Sequence, residues 1–257
     1  MMSPMGSPHP DPEKLLAEAR ESWADLGRLP EPPSGLESTR LALHRVAENV
    51  VSAARQRATG NEIALRWYPG GFGTPPFPDD RGNRVLRVDG VELVDSCDGA
   101  ERRAELTTLR ATGKLAGDLV DAHELDEEPL ALEAAAAQFV GAWFCFATLA
   151  VADLRVRADQ ALDPGWVQLW PEHFDVATEL GLEDLGQRAG YGASPGDEAH
   201  PEPYIYVAPW TVRPEGELWN ASAFPGAELS YRELLAAPDP VAAAAEFFDT
   251  RLAHLTT

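Results

Sequence analysis

Arg84-Val85-Leu86-Arg87-Val88-Asp89-Gly90-Val91-Glu92-Leu93-Val94 decides what kind of sheet this chain builds. Asp-Gly between two β-rich runs predicts a hairpin, because glycine accepts the positive φ that a tight reversal needs. The strands on either side are then antiparallel neighbours. Upstream, Ile63, Leu65 and Trp67 alternate with Ala64, Arg66 and Tyr68, the period-two pattern of a strand with one buried face. Residues 101–107 add another strand to a small meander. Residues 108–119 return to a helical pattern, weakened by Gly113 and Gly117.

Helices flank this meander. In residues 11–27, Leu15, Leu16, Ala19, Trp23 and Leu26 recur at helical spacing, with Pro12 in the first turn and Gly27 after the last. Pro30-Glu31-Pro32-Pro33-Ser34-Gly35 breaks the chain before a second helix carrying Leu41, Leu43, Val46, Val50 and Ala53 and stopping near Gly60. An acidic connection over residues 118–128 then leads to Pro129, which opens a long Ala-rich helix ending near Arg157. Residues 134–152 of it are uncharged over about the length of a membrane span. Their Ala- and Gln-rich start, with Asp153 and Arg155 following at once, favours a buried central helix instead.

Strand composition returns at 167–170, 174–179, 204–211 and 218–224. Two closing helices have clear starts: Ser230 with Glu233 forms a capping box, and Asp239 precedes Pro240. The pattern predicts an α+β fold, with an N-terminal helical pair, a buried central helix, antiparallel sheets and C-terminal covering helices. The expected organisation is a disordered tail over 1–10, a first part over 11–120 and a second over 121–257, together one compact unit.

The 257 residues are 44% apolar and suffice for a substantial core. With 21 basic against 42 acidic side chains, the net charge of -21 repels polyphosphate and anionic lipid, which disfavours nucleic-acid and membrane partners. Two cysteines, Cys97 and Cys145, make no disulfide framework. Residues 1–10 contain neither a basic stretch nor an apolar core of a secretory signal, so the expected location is cytoplasmic.

The chemistry concentrates in Trp170-Pro171-Glu172-His173-Phe174-Asp175 and in residues 194–204, which hold two of the six histidines beside carboxylates and aromatics. If the chain stays extended after Pro171, His173 and Asp175 share one strand face; His200 and Glu202 repeat the spacing around Pro201. Together the four residues offer ligands for a divalent metal such as zinc, manganese or iron, with Glu172 or Asp197 as a proton acceptor near bound water. Without a metal, His173 oriented by Asp175 is a candidate catalytic acid–base dyad. Tyr204 and Tyr206 share a strand face and, with Trp170, Glu172 and Asp197, are candidate walls and contacts for a small organic ligand. Ser194 lacks a nucleophile elbow, and Pro69-Gly70-Gly71-Phe72-Gly73-Thr74-Pro75-Pro76-Phe77 lacks a Walker lysine. That loop is read as a turn or an edge cover. His44, alone on its helix, is read as structural.

The runs 70–77, 169–175, 191–197 and 203–207 resemble a family of actinobacterial proteins of unknown function, over most of the chain after about Ser34. The second half is distantly similar to another bacterial family of unknown function, through Phe174-Asp175-Val176-Ala177, Pro195-Gly196-Asp197 and Tyr204-Ile205-Tyr206. These resemblances imply a cytoplasmic bacterial protein and carry over no catalytic role. The expected function is binding of a small molecule in a His, carboxylate and aromatic pocket, with metal-assisted or acid–base catalysis as its extension. A noncatalytic structural or protein-interaction module is the alternative.

Overall fold

The computed structural model describes residues 9–61, 64–79, 82–211 and 214–257. Ile63 and residues 1–8 of the expected tail lie outside the described residues. In chain order the elements are α1 (Pro12–Leu26), α2 (Leu36–Val46), α3 (Ala53–Thr59), β1 (Arg66–Tyr68), β2 (Gly71–Gly73), β3 (Phe77–Asp79), β4 (Gly82–Asp89), β5 (Glu92–Cys97), β6 (Ala100–Glu105), α4 (Leu109–Ala116) and α5 (Ala134–Arg157). There follow β7 (Gln168–Trp170), β8 (Asp175–Leu180), β9 (Ala189–Ser194), β10 (Tyr204–Pro209), β11 (Ala227–Ser230), α6 (Tyr231–Ala236) and α7 (Pro240–Thr256). The fold is α+β with antiparallel sheets, as the sequence predicts.

The chain divides into two compact units that interleave in sequence. One gathers Pro30–Phe144 and Gln168–Phe174 with the described residues up to Pro10; the other gathers Asp11–Leu29, Cys145–Val167 and Asp175–Thr257.

In the first unit the strands run β1-β2-β4-β5-β6, and β3 pairs with β4 beyond β2. The predicted hairpin is its centre: Asp89 pairs with Glu92 across the two-residue loop Gly90-Val91, and Gly90 adopts φ +60. A positive φ at the first loop position is the conformation in which glycine replaces other residues. Thr74 fills the gap between β2 and β3, its N–H donating to Leu86 O at 2.9 Å and its hydroxyl accepting from Leu86 N at 3.1 Å. A π-helical turn, Ala47–Ser52, joins α2 to α3. Phe72 packs edge-on against Phe144 at 6.2 Å and against Phe174 at 5.2 Å.

In the second unit the strands run β11-β10-β9-β8. Thr178, Tyr191 and Val207 are opposite one another and share one face; Ala177, Gly192, Tyr206 and Glu228 share the other. Tyr191 meets Phe248 of α7 at 6.1 Å on the first of these faces. β9 was not among the expected strands. Conversely, residues 218–224 form turns and bends rather than the expected strand, and β11 supplies the edge instead. The reason lies in side-chain hydrogen bonding. Asn220 Nδ2 donates to Glu228 O and Asn220 Oδ1 accepts from Glu228 N, both at 3.0 Å, so one amide side chain substitutes for a neighbouring strand.

The helix starts follow the sequence. Asp11 accepts from Glu13 N, Ser230 and Glu233 form the capping box, and Asp239 accepts from Val241 N and Ala242 N ahead of Pro240. α5 is long and apolar enough to cross a membrane, with mean hydropathy 1.7 in its most apolar window, yet 78% of that window is buried within the protein. It is a core helix, buried on nearly all sides.

Candidate functional site

The first expected motif is a turn. Residues 171–174 reverse the chain, Phe174 N donates to Trp170 O at 2.8 Å, and β8 starts at Asp175. This replaces the extended run that was expected to place His173 and Asp175 on one strand face. The cause is Phe174, which adopts φ +53, a left-handed conformation costing a non-glycine residue about 1–3 kcal/mol. Its ring is 1% exposed, edge-on to Phe144 at 5.1 Å and stacked on His44 at 5.1 Å. Burial of that ring offsets the backbone cost. His44 also hydrogen-bonds Pro171 O through Nε2 at 2.8 Å, which gives this histidine its structural role. Glu172 and His173 are exposed.

The second motif folds around Asp197. Its Oδ1 accepts from Ala199 N and His200 N, both at 2.8 Å, and its own N–H donates to His200 O at 2.8 Å. The His200 ring then sits between two carboxylates: Nδ1 is 3.0 Å from Asp197 Oδ1, and Nε2 is 3.0 Å from Glu228 Oε2 on β11. Tyr204 stacks obliquely on the imidazole at 4.2 Å and donates its hydroxyl to Asp197 Oδ2 at 2.6 Å. Glu202 faces elsewhere, accepting from Arg232 Nε at 3.1 and 2.9 Å.

Two residues further along β10, Tyr206 donates its hydroxyl to Asp175 Oδ2. Tyr206 on β10 reaches β8 by lying across the intervening strand at Gly192. A Cβ on Gly192 would stand 2.4 Å from the Tyr206 hydroxyl oxygen, so glycine is required there for the phenol to reach its carboxylate. Phe224 completes a group of three rings, 6.4 Å from Tyr204 and 6.1 Å from Tyr206. Beside it opens a hollow of about 500 Å³ walled by Trp219, Ala221, Phe224 and Gly226.

The electrostatics follow from burial and pairing. Burial pushes the Tyr204 phenol far above its usual range, and its bond to Asp197 adds to this. Tyr206 moves the same way, from burial and then from the Asp175 carboxylate. Part of the Tyr206 side chain is accessible, but it is the desolvated hydroxyl end that titrates. Burial would raise the Asp197 carboxyl; hydrogen bonds from Tyr204 and His200 outweigh it and hold Asp197 below the usual carboxylate range. The site therefore combines ionised carboxylate with phenols that stay protonated.

Of the expected site residues, the second unit brings together Asp175, Asp197, His200, Tyr204 and Tyr206. Glu202 is drawn away to Arg232, while Trp170, Glu172 and His173 belong to the first unit. Among the described residues, no group of three or more His, Cys, Asp or Glu side chains is arranged to hold a metal ion. Ser194 hydrogen-bonds Gly196 through its hydroxyl and shapes the loop start. Residues 71–73 of the glycine loop form the interior strand β2, paired to both β1 and β4, rather than an edge cover. Glu228 and Phe224 were not anticipated. The alternation Ala227-Glu228-Leu229 just ahead of the capping box was the available signal, though a four-residue strand makes it faint. No protein-family profile, curated protein or solved structure matches this chain.

Proposed function

We propose that the face of the second sheet carrying Asp175, Tyr204, Tyr206 and Glu228 binds a small organic molecule, with His200 and Asp197 as its proton-transfer pair. The observation that carries this reading is the grouping of three aromatic rings with three carboxylates and one imidazole on one sheet face and its adjoining loop, with Phe224 of that group also lining the hollow. Rings supply apolar contact, protonated phenols donate, and carboxylates accept. Carboxylates outnumber the imidazole, which favours a ligand bearing a cationic nitrogen over an anion. Neither Cys97 nor Cys145 is in a disulfide, which supports a cytoplasmic setting.

The test is a thermal-stability screen against small amines, amino acids, sugars and carboxylates. A ligand at ~100 times its Kd adds about 2.7 kcal/mol. The expected result is a shift in the wild type that Tyr206→Phe and Asp197→Asn each reduce. Compounds that stabilise wild type and both variants equally would place binding elsewhere and overturn the proposal.

A specific observation favours a second reading, that of a noncatalytic module. Both His200 nitrogens already have partners within the chain, and Asn220 closes the sheet edge, so the network has a complete structural role without any ligand. A silent screen, combined with lowered stability in His200→Gln, is its expected signature.

A further inference from the structure

We infer that His200 is a protonation-dependent clasp between the loop 195–203 and the edge strand β11. Asp197 Oδ1 stands 3.0 Å from Nδ1 and Glu228 Oε2 stands 3.0 Å from Nε2, and an ionised carboxylate can only accept. An imidazolium has two N–H groups and satisfies both contacts. A neutral ring has one, so on losing its proton it must turn a bare nitrogen lone pair towards one of the two carboxylates, and that contact becomes repulsive.

The neighbours decide which contact fails. Asp197 also receives the Tyr204 hydroxyl and the N–H groups of Ala199 and His200, which keep it ionised and hold it against the ring. The Glu228 carboxylate, from β11, meets Nε2 at 3.0 Å and has no such set of donors among the described residues. From β10 the ring faces Tyr204, whose proton is engaged by Asp197. On the loop itself Glu198 is exposed, and Glu202 is held by Arg232 of α6. The neutral ring therefore keeps Nδ1–H on Asp197 and releases Glu228. The loop stays folded around Asp197 but is no longer tied to β11.

The clasp works without a ligand; that its opening changes access to the Tyr206 face rests on the binding proposal above. Ligand-free protein is the material for the test. Amide hydrogen exchange of the loop is measured from about pH 5 to about pH 9, spanning imidazole titration, with exchange normalised to intrinsic rates and the β4–β5 hairpin as internal reference. Wild type is expected to lose about tenfold protection in the loop as the ring deprotonates, the value of one charge-assisted hydrogen bond. Glu228→Gln is expected to flatten the profile, because a glutamine N–H donates to the bare Nε2 and the neutral ring is then satisfied on both sides. Histidine nitrogen shifts, assigned by comparison with His200→Gln, should report a doubly protonated ring at the low-pH end. A loop profile flat in wild type, or equally steep in Glu228→Gln, overturns the clasp. Either outcome leaves the ligand screen free to succeed or fail by itself.

Discussion

Each unit holds a charged cluster, buried in the first and partly exposed in the second, and the two are made from different chemistry. In the first, Arg84 is 2% exposed and donates Nε to Asp95 at 2.6 Å, Nη1 to Asp79 at 3.2 Å and Nη2 to Ala116 O at 2.9 Å, while Arg102 takes the second oxygen of Asp95. In the second, one imidazole and three carboxylates are linked through two phenols. A guanidinium keeps its proton at any physiological pH, so the first cluster has one state and acts as a fixed tie between β4, β5 and α4. The second is built on an imidazole, which can carry one or two N–H groups, so the proposed clasp has two arrangements.

Breaking the fixed tie should have the largest effect. Asp95→Ala leaves Arg84 buried without its main partner and is expected to cost about 3–5 kcal/mol, read as a fall in the urea midpoint. Asp95 also predicts acid sensitivity. Burial would raise its carboxyl, but hydrogen bonds from Arg84 and Arg102 win and hold it below the ordinary value. A folded-state value below the unfolded one contributes stability above about pH 4 and loses it as pH falls through the folded value. Asp197 has the same sign, so unfolding followed against pH should steepen on the acid side, and Asp95→Asn should blunt that slope.

Next in size is Gly192→Ala. The added methyl meets the Tyr206 ring, for an overpacking cost of about 1–3 kcal/mol, and should separate Tyr206 from Asp175. Ligand binding should fall with it, whereas the first cluster should be untouched. At the alkaline end, Tyr191, Tyr204 and Tyr206 are all raised by burial. Their contribution is full below about pH 10 and is lost as pH rises towards the folded values, so phenolate absorbance from these three should appear together with unfolding. Asn220→Ala removes the edge cap for about 1 kcal/mol and should raise self-association measured by light scattering. Smallest of all is His173→Ala, expected within about 0.5 kcal/mol of wild type, since the side chain is exposed. A large loss of stability or of ligand binding there would show that His173 belongs to the working chemistry alongside the His200 cluster.

Much of the fold was legible because its signals are local. The Asp89-Gly90 hairpin, the three capped helix starts and the apolar run of α5 each depend on residues within a few positions of one another. The candidate site was legible only in part: Asp197, His200, Tyr204 and Tyr206 were found through their clustering in sequence. Their partner Glu228 lies 28 residues from His200, and no spacing rule links them.

By itself the sequence determined an α+β chain with antiparallel strands, a buried central helix and a histidine-carboxylate cluster, since periodicity, turn chemistry and capping act over short distances. Tertiary structure alone decided that Ala189–Ser194 is a strand, that His200 and not His173 is enclosed by carboxylates, and that Glu228 completes the site. The physical reason is common to all three. Gly192 is a good strand residue only when Tyr206 fills the space above it, Phe174 accepts a left-handed backbone only when an aromatic recess receives its ring, and Glu228 meets His200 only through the register of β10 with β11.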